Sequence, residues 1–159
     1  MKHAEDNMLC RDVMNRPVET VRSSETVQAA AQRMRDSNVG FLAVCDDAGR
    51  MVGVVTDRDI TVRLCAAGGL PAETPISEVM TADVVRCATT DDLRMAERLM
   101  IRDRKSRIVI TDDRDRLAGV ISLSDVASRA PADAVDVLRR VASREIAGPD
   151  GRPRTDRAA

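Results

Sequence analysis

Two spacings of apolar residues alternate along this chain of 159 residues. Val27, Ala30, Ala31 and Met34 recur at the i, i+3, i+4, i+7 spacing of a buried helical stripe, and Ser23-Ser24-Glu25 just ahead reads as a helix start, so a helix is predicted over about 25–37. The apolar run Phe41-Leu42-Ala43-Val44-Cys45 then reads as a strand. Asp46-Asp47-Ala48-Gly49 reads as a hairpin turn, and Met51-Val52-Gly53-Val54-Val55 as the returning strand. A second helix is predicted from Asp57 to about Ala66.

The same order then recurs at a fixed offset of 66 residues, from Gly53 to Gly119, without a gap. Val13 and Met14 return as Val79 and Met80, Ala30 as Ala96, Met34 as Met100, and Asp59 as Asp125. Matches at one offset over this length mark an internal duplication. The second copy predicts a helix from Asp91 to about Arg102, a strand Arg107 to Ile110, a turn at Asp112-Asp113-Arg114-Asp115, a strand Leu117 to Ile121, and a helix from Leu123. Each half alone is too small to bury a sufficient core, so the natural arrangement is a pseudo-twofold pair.

This divides the chain into a flexible N-terminal tail (1–9), a first repeat (10–66), a Gly- and Pro-rich linker (67–75) and a second repeat (76–130). An amphipathic C-terminal helix is expected over 131–147, its stripe formed by Ala134, Val137, Leu138, Val141 and Ala142, either capping the core or meeting a second subunit. A disordered tail is expected over 148–159.

Composition narrows the chemistry. With 25 Lys and Arg against 26 Asp and Glu there is no net basic surface, which argues against a nucleic-acid or membrane surface as the main partner; only the Arg-rich stretch Arg102 to Arg107 speaks for DNA. Phe41 is the one aromatic residue, so a bound adenine has to sit between aliphatic side chains. There is no apolar run of membrane-span length and no signal-peptide pattern at the start, and the chain is read as cytoplasmic. Cys10, Cys45, Cys65 and Cys87 are widely spaced, form no Cys-x-x-Cys and have only His3 as an imidazole partner. They are expected to be buried reduced thiols, with any redox role falling to Cys10 or Cys65, and no metal site is expected. No catalytic constellation appears, so the chain is not read as an enzyme.

The candidate chemistry lies where each returning strand meets its helix, at Gly53-Val54-Val55-Thr56-Asp57-Arg58-Asp59-Ile60 and Gly119-Val120-Ile121-Ser122-Leu123-Ser124-Asp125-Val126. A helix N-terminus offers unpaired N–H groups to a phosphate. A carboxylate three residues after a hydroxyl can accept both hydroxyls of a ribose. The competing reading is a capping box. That box prefers the longer Glu or Gln, and finding Asp in both copies favours binding.

Asp12-Val13-Met14 and Glu78-Val79-Met80 opening each copy, with Gly-x-x-Thr-x-x-Asp and Gly-x-x-Ser-x-x-Asp closing it, make residues 8 to 129 resemble a tandem pair of cystathionine-β-synthase (CBS) domains, the Bateman module. The chain is especially similar to small stand-alone bacterial pairs of the hypoxic response protein type, through its Thr-Asp-Arg-Asp-Ile stretch and the Ala-Ala-Gly after the helix. The resemblance implies an α+β fold, two β-α-β-β-α repeats packed with pseudo-twofold symmetry, and two clefts that bind adenosyl ligands (AMP, ADP, ATP, NAD or S-adenosylmethionine).

Carried over, the first site uses the backbone around Val54, Thr56 for phosphate or ribose, Arg58, and Asp59 for the ribose diol; the second uses Val120, Ser122, Ser124 and Asp125. The family pattern brings the start of one repeat's hairpin toward the motif of the other, here Ser106 and Arg107 toward Asp59, and Val39 and Gly40 toward Asp125. Many relatives carry His or Pro in the hairpin's first strand, where this chain has Phe41-Leu42 and Arg107-Ile108. The function implied is a non-enzymatic sensor of adenine nucleotides with no obligatory cofactor, acting on a regulated protein. A homodimer is expected separately, because short helices leave the apolar sides of Val62, Leu64, Val126 and Val137 in need of cover. The alternative is a structural or protein-interaction module with vestigial sites.

Overall fold

The structure, a computed structural model, describes residues 8–129 and the helix Pro131–Ile146. The two terminal tails expected from sequence lie outside the described residues, apart from Met8 and Leu9.

The repeat order β-α-β-β-α is present twice. The first copy runs β1 (Thr20–Arg22), α2 (Val27–Asp36), β2 (Phe41–Cys45), β3 (Met51–Thr56) and α3 (Asp57–Asp59); a short α1 (Cys10–Val13) precedes it. The second runs β4 (Arg86–Ala88), α4 (Leu93–Asp103), β5 (Arg107–Thr111), β6 (Leu117–Ser122) and α5 (Leu123–Arg129), followed by α6 (Pro131–Ile146). Each copy forms a three-stranded mixed sheet, in the orders β1-β2-β3 and β4-β5-β6. Thr20 pairs with Ala43 in a parallel ladder and Ala43 with Val54 in an antiparallel one.

Local chemistry explains the element ends. Helix α2 starts two residues later than the spacing suggested, because Thr26 is the cap, its hydroxyl accepting from the Ala29 N–H at 3.2 Å. Glu25 instead accepts from the Arg22 N–H at 2.7 Å and pairs with Arg33 at 3.0 Å. Helix α4 is capped in the same way by Asp92. The hairpin turn has Gly49 at φ 78°, and its equivalent in the second repeat is Asp115 at φ 57°, a left-handed conformation that Asp tolerates better than most residues. Asn38 and Arg104, equivalent across the duplication, are likewise left-handed at the ends of α2 and α4.

The duplicated sequence and the packed unit have different boundaries. One compact unit gathers residues 17–84 with 114–118; the other gathers the described residues up to 16, with 85–113 and 119 onward. The opening segment of each sequence repeat is therefore built into the unit of the other. In the first unit Thr81 exchanges both backbone bonds with Val54, at 2.9 and 2.8 Å; in the second, Asn15 does the same with Val120, at 2.9 and 3.2 Å. Gly53 and Gly119 lead their motifs because the incoming segment lies so close: a Cβ on Gly53 would meet the Thr81 carbonyl oxygen at 2.9 Å, and one on Gly119 would meet Met14 Sδ at 2.6 Å.

Each unit has its own core. Val21, Val27, Ala30, Leu42, Val55, Leu64 and Ile76 are buried together in the first. Met100, Ile108, Ile110, Ile121 and Val126 are buried in the second, with Ala134, Val137 and Val141 of α6. Helix α6 thus caps a core, packing on α4 and α5. This corrects the apolar argument for a dimer: Leu64, Val126 and Val137 are already covered within the chain, and of that set Val62 alone is exposed, at 53%. Leu138, expected in the buried stripe, is exposed beside Val135.

The helix predicted from Asp57 to Ala66 is present but not regular. It starts as the α-helical turn Asp57–Asp59, widens to a π-helix over Ile60–Leu64 and tightens to a 3-10 turn over Cys65–Ala67. Three β-branched residues in a row, Ile60-Thr61-Val62, crowd an α-helical turn, and the Thr61 hydroxyl donates back to the Asp57 carbonyl at 3.0 Å. The second repeat has Val126-Ala127-Ser128 there and remains α-helical. π-Helical turns of this kind are frequent at functional sites.

Candidate functional site

The hydroxyl and carboxylate of each motif lock together across the strand-to-helix junction. Asp59 Oδ2 accepts from the Thr56 N–H at 2.9 Å and from the Thr56 hydroxyl at 2.6 Å, while the hydroxyl oxygen accepts from the Asp59 N–H at 3.2 Å. In the second repeat Asp125 Oδ2 accepts from the Ser122 N–H at 2.7 Å and from the Ser122 hydroxyl, and the Asp125 N–H donates to Ser122 Oγ at 3.3 Å. These are capping boxes. The preference of such boxes for the longer Glu or Gln does not weigh against Asp here: the tight turn brings the carboxylate within reach of the N-cap N–H.

Capping does not exhaust either carboxylate. The box uses Oδ2 and leaves Oδ1. Asp59 is 17% exposed, and its Oδ1 lies 3.3 Å from the Arg63 guanidinium. Among the described residues Asp125 has no such ion pair, although Arg129 stands at the equivalent position.

Other predicted site residues gather within their own repeat. The Gly40 carbonyl accepts from the Asp57 N–H at 3.2 Å, and the Ser106 carbonyl from the Leu123 N–H at 2.9 Å. The start of each hairpin therefore abuts the motif loop of its own repeat, with Val39 and the exposed Arg107 adjoining. A side chain at Gly40 would meet the Asp57 carboxylate, a Cβ lying 2.7 Å from its Oδ2. Arg58 is exposed on the same turn as Asp59, and its N–H donates to Asp57 Oδ1 at 2.7 Å. Ser124 lies 2.8 Å from Ser122, oxygen to oxygen. Val54 and Val120 do not have free backbone to offer, since each has its N–H and C=O paired with the incoming segment.

Two residues of this neighbourhood were missed from sequence, Asp57 and Arg63. Asp57 has Leu123 as its counterpart, so it gives the first loop a carboxylate that the second lacks. Arg63 was detectable as an i, i+4 partner of Asp59.

The thiols are not part of either loop. Cys10 and Cys87 are buried in the second core with Cys65 exposed and Cys45 between, so the expectation of uniformly buried thiols fails for Cys65. The neighbouring Cys87 and desolvation push the Cys10 thiol's pKa far up, and Cys87 is correspondingly pulled down. A thiolate at Cys10 is thereby disfavoured, and Cys65 is the accessible sulfur. Among the described residues no group of three or more His, Cys, Asp or Glu is placed to hold a metal ion, and no helix is long and apolar enough to cross a membrane.

Comparison with known proteins agrees with this architecture. The family model for the CBS domain matches residues 10–65 and 76–131. The CBS domain-containing protein YhcV of Bacillus subtilis is 37% identical over 117 residues, 74% of this chain and 81% of that protein. Hypoxic response protein 1 of Mycobacterium tuberculosis is 31% identical over 125 residues, 79% of this chain and 87% of that protein. The crystal structure of Hypoxic Response Protein I with two coordinated zinc ions superposes with a TM-score of 0.71, covering 78% of this chain and 100% of that one. A CBS domain pair in complex with 5'-methylthioadenosine and S-adenosyl-L-methionine shares the fold at 23% identity and a TM-score of 0.70, covering 79% of this chain and 98% of that one. With both halves of the duplication matched and the β-α-β-β-α order present twice, this chain belongs to the CBS domain family as a tandem pair similar to the hypoxic response protein.

Proposed function

We propose that this chain is a non-enzymatic regulatory module that binds an adenine nucleotide at the Thr56–Asp59 loop of its first repeat, and more weakly at the Ser122–Asp125 loop of its second. The observation that carries the reading is the pair of locked loops. In each, one carboxylate oxygen fixes the turn; the other faces Arg63 in Asp59, from which a ligand hydroxyl has to take it over, and is without an ion pair among the described residues in Asp125. A carboxylate held in place before the ligand arrives avoids the ordering cost of a mobile one. The CBS domain pair solved with 5'-methylthioadenosine and S-adenosyl-L-methionine supports the adenosyl class of ligand. For the phosphate, the first loop has Arg58 where the second has Ser124.

The structural or interaction reading draws on the same bonds. Both carboxylates already serve as helix caps, and Arg63 occupies the second oxygen of Asp59. Melting curves with AMP, ADP, ATP, NAD and S-adenosylmethionine at millimolar concentration separate the two. A ligand present at 100 times its dissociation constant adds about 2.7 kcal/mol to stability, so at least one is expected to raise the melting temperature. If none does, the loops are caps and the interaction reading takes over.

A further inference from the structure

Arg63 joins the motif carboxylate to the segment that leads out of the first unit. Its Nη1 donates to the carbonyls of Val79 and Met80, both at 2.8 Å, and its Nη2 donates to Thr81 Oγ1 at 3.0 Å. The same Nη2 lies 3.3 Å from Asp59 Oδ1. Val79 and Met80 follow the 3-10 turn Ile76–Glu78, whose end leaves carbonyls without helical partners, and a guanidinium satisfies such groups well. Only a planar fork with several donors reaches two carbonyls, a hydroxyl and a carboxylate together.

The segment held in this way is also the one whose Thr81 completes the edge of β3 through Val54. A few residues later, at Val85, the chain passes into the other compact unit. The second repeat lacks the arrangement: Arg129 is exposed, and among the described residues it makes neither an ion pair with Asp125 nor a bond to Val13, Met14 or Asn15. The difference goes with the π-helical course of Ile60–Leu64, which α5 does not share.

We propose that Arg63 is a positioning residue that couples occupancy of the first ligand site to the anchorage of residues 79–81. This rests on the reading of Asp59 as the acceptor of a ligand's hydroxyls. A ribose diol at Asp59 Oδ1 competes with the guanidinium for that oxygen, and a phosphate nearby draws the guanidinium toward itself. Either contact weakens the hold on the Val79 and Met80 carbonyls. Ligand at the loop is thus converted into freedom of the strap that leads to the second unit.

Amide hydrogen exchange of the full chain, read at residues 56–59 and at 79–81 with and without AMP, tests the coupling. The Val79, Met80 and Thr81 amides are bonded to Ile76, Ile76 and Val54 respectively, so each reports on the strap. In the wild-type chain AMP is expected to slow exchange at 56–59 and to quicken it at 79–81 roughly tenfold, the factor that corresponds to about 1.4 kcal/mol. Arg63→Gln, at a side chain that is 43% exposed, is expected to fold and to show quickened exchange at 79–81 without AMP, with no further change when AMP is added. Arg63→Lys, which keeps the charge but not the fork, should behave in the same way. Protection at 56–59 with unchanged exchange at 79–81 overturns the coupling and leaves the binding reading intact. Absence of protection at 56–59 at saturating AMP overturns both.

Discussion

Replacing Asp59 by asparagine is expected to weaken AMP binding roughly 10- to 150-fold while leaving the melting temperature of the ligand-free chain nearly unchanged. The range follows from a hydrogen bond to a charged group, about 1.5–3 kcal/mol, and is smaller where water reaches the contact. Asparagine keeps an oxygen for the Thr56 N–H and hydroxyl, so the cap survives. Alanine does not, and Asp59→Ala should also cost about 0.5–2 kcal/mol of stability. Comparing the two variants separates the role of Asp59 as cap from its role as ligand acceptor.

The same pair of substitutions at Asp125 should lower stability similarly and AMP affinity much less. The first loop has Arg58 and the nearby Arg63, against one additional carboxylate, Asp57; the second loop has Ser124 and Leu123. The balance favours phosphate in the first. Calorimetric titration of AMP and of adenosine into the four variants reads this directly. Equal losses of AMP affinity at the two positions would show that the loops are equivalent and the charge argument mistaken.

Gly53→Ala is expected to destabilise the chain by about 1–3 kcal/mol, the usual cost of forcing added atoms into a filled space. The new Cβ would lie 2.9 Å from both Met80 Sδ and the Thr81 carbonyl oxygen. The sulfur can move aside. The carbonyl is backbone held by the bridge to Val54, so the bridge itself must open. Gly49→Asn is the control: Gly49 is left-handed but has no atom within 4 Å of a built Cβ, and the second repeat already has Asp115 in that place. Its cost should stay below about 1 kcal/mol. Urea midpoints measure both. If Gly53→Ala is as mild as Gly49→Asn, the close approach of residues 80–81 to β3 is not what makes glycine necessary.

The duplication, both hairpins and the buried stripes of α2 and α4 could be read from sequence because each repeats a period that burial imposes. Val27, Ala30 and Met34 are buried as their spacing required, whereas Ala31, expected in the same stripe, is exposed at its edge. β1 and β4 were not located individually by spacing: each is three residues long with one buried position, too short to show an alternation. The exchange of opening segments was hidden for another reason. Val13-Met14 and Val79-Met80 are equivalent in sequence, so the offset alone does not say which sheet each joins. The close approach of Met14 to Gly119 and of Met80 to Gly53 is a tertiary fact.

At the candidate site the hydroxyl and carboxylate are legible in the sequence, but their mutual bonding is not, because the preference of capping boxes for Glu does not carry over to this tight turn. Arg63 carries little signal in the sequence, since an Arg on an exposed helix face is ordinarily a solvated charge. Its significance comes from carbonyls sixteen and seventeen residues away in sequence.

The locked loop of the first repeat is proposed above as a nucleotide site. Titrating AMP into isotope-labelled chain and following backbone amide resonances tests it most directly. Saturable shifts are expected at Gly40, Thr56, Arg58 and Asp59, with Ser122 and Asp125 moving only at higher concentration. If no amide of either loop moves at millimolar AMP, or if the shifts fall on α6 instead, the claim is contradicted.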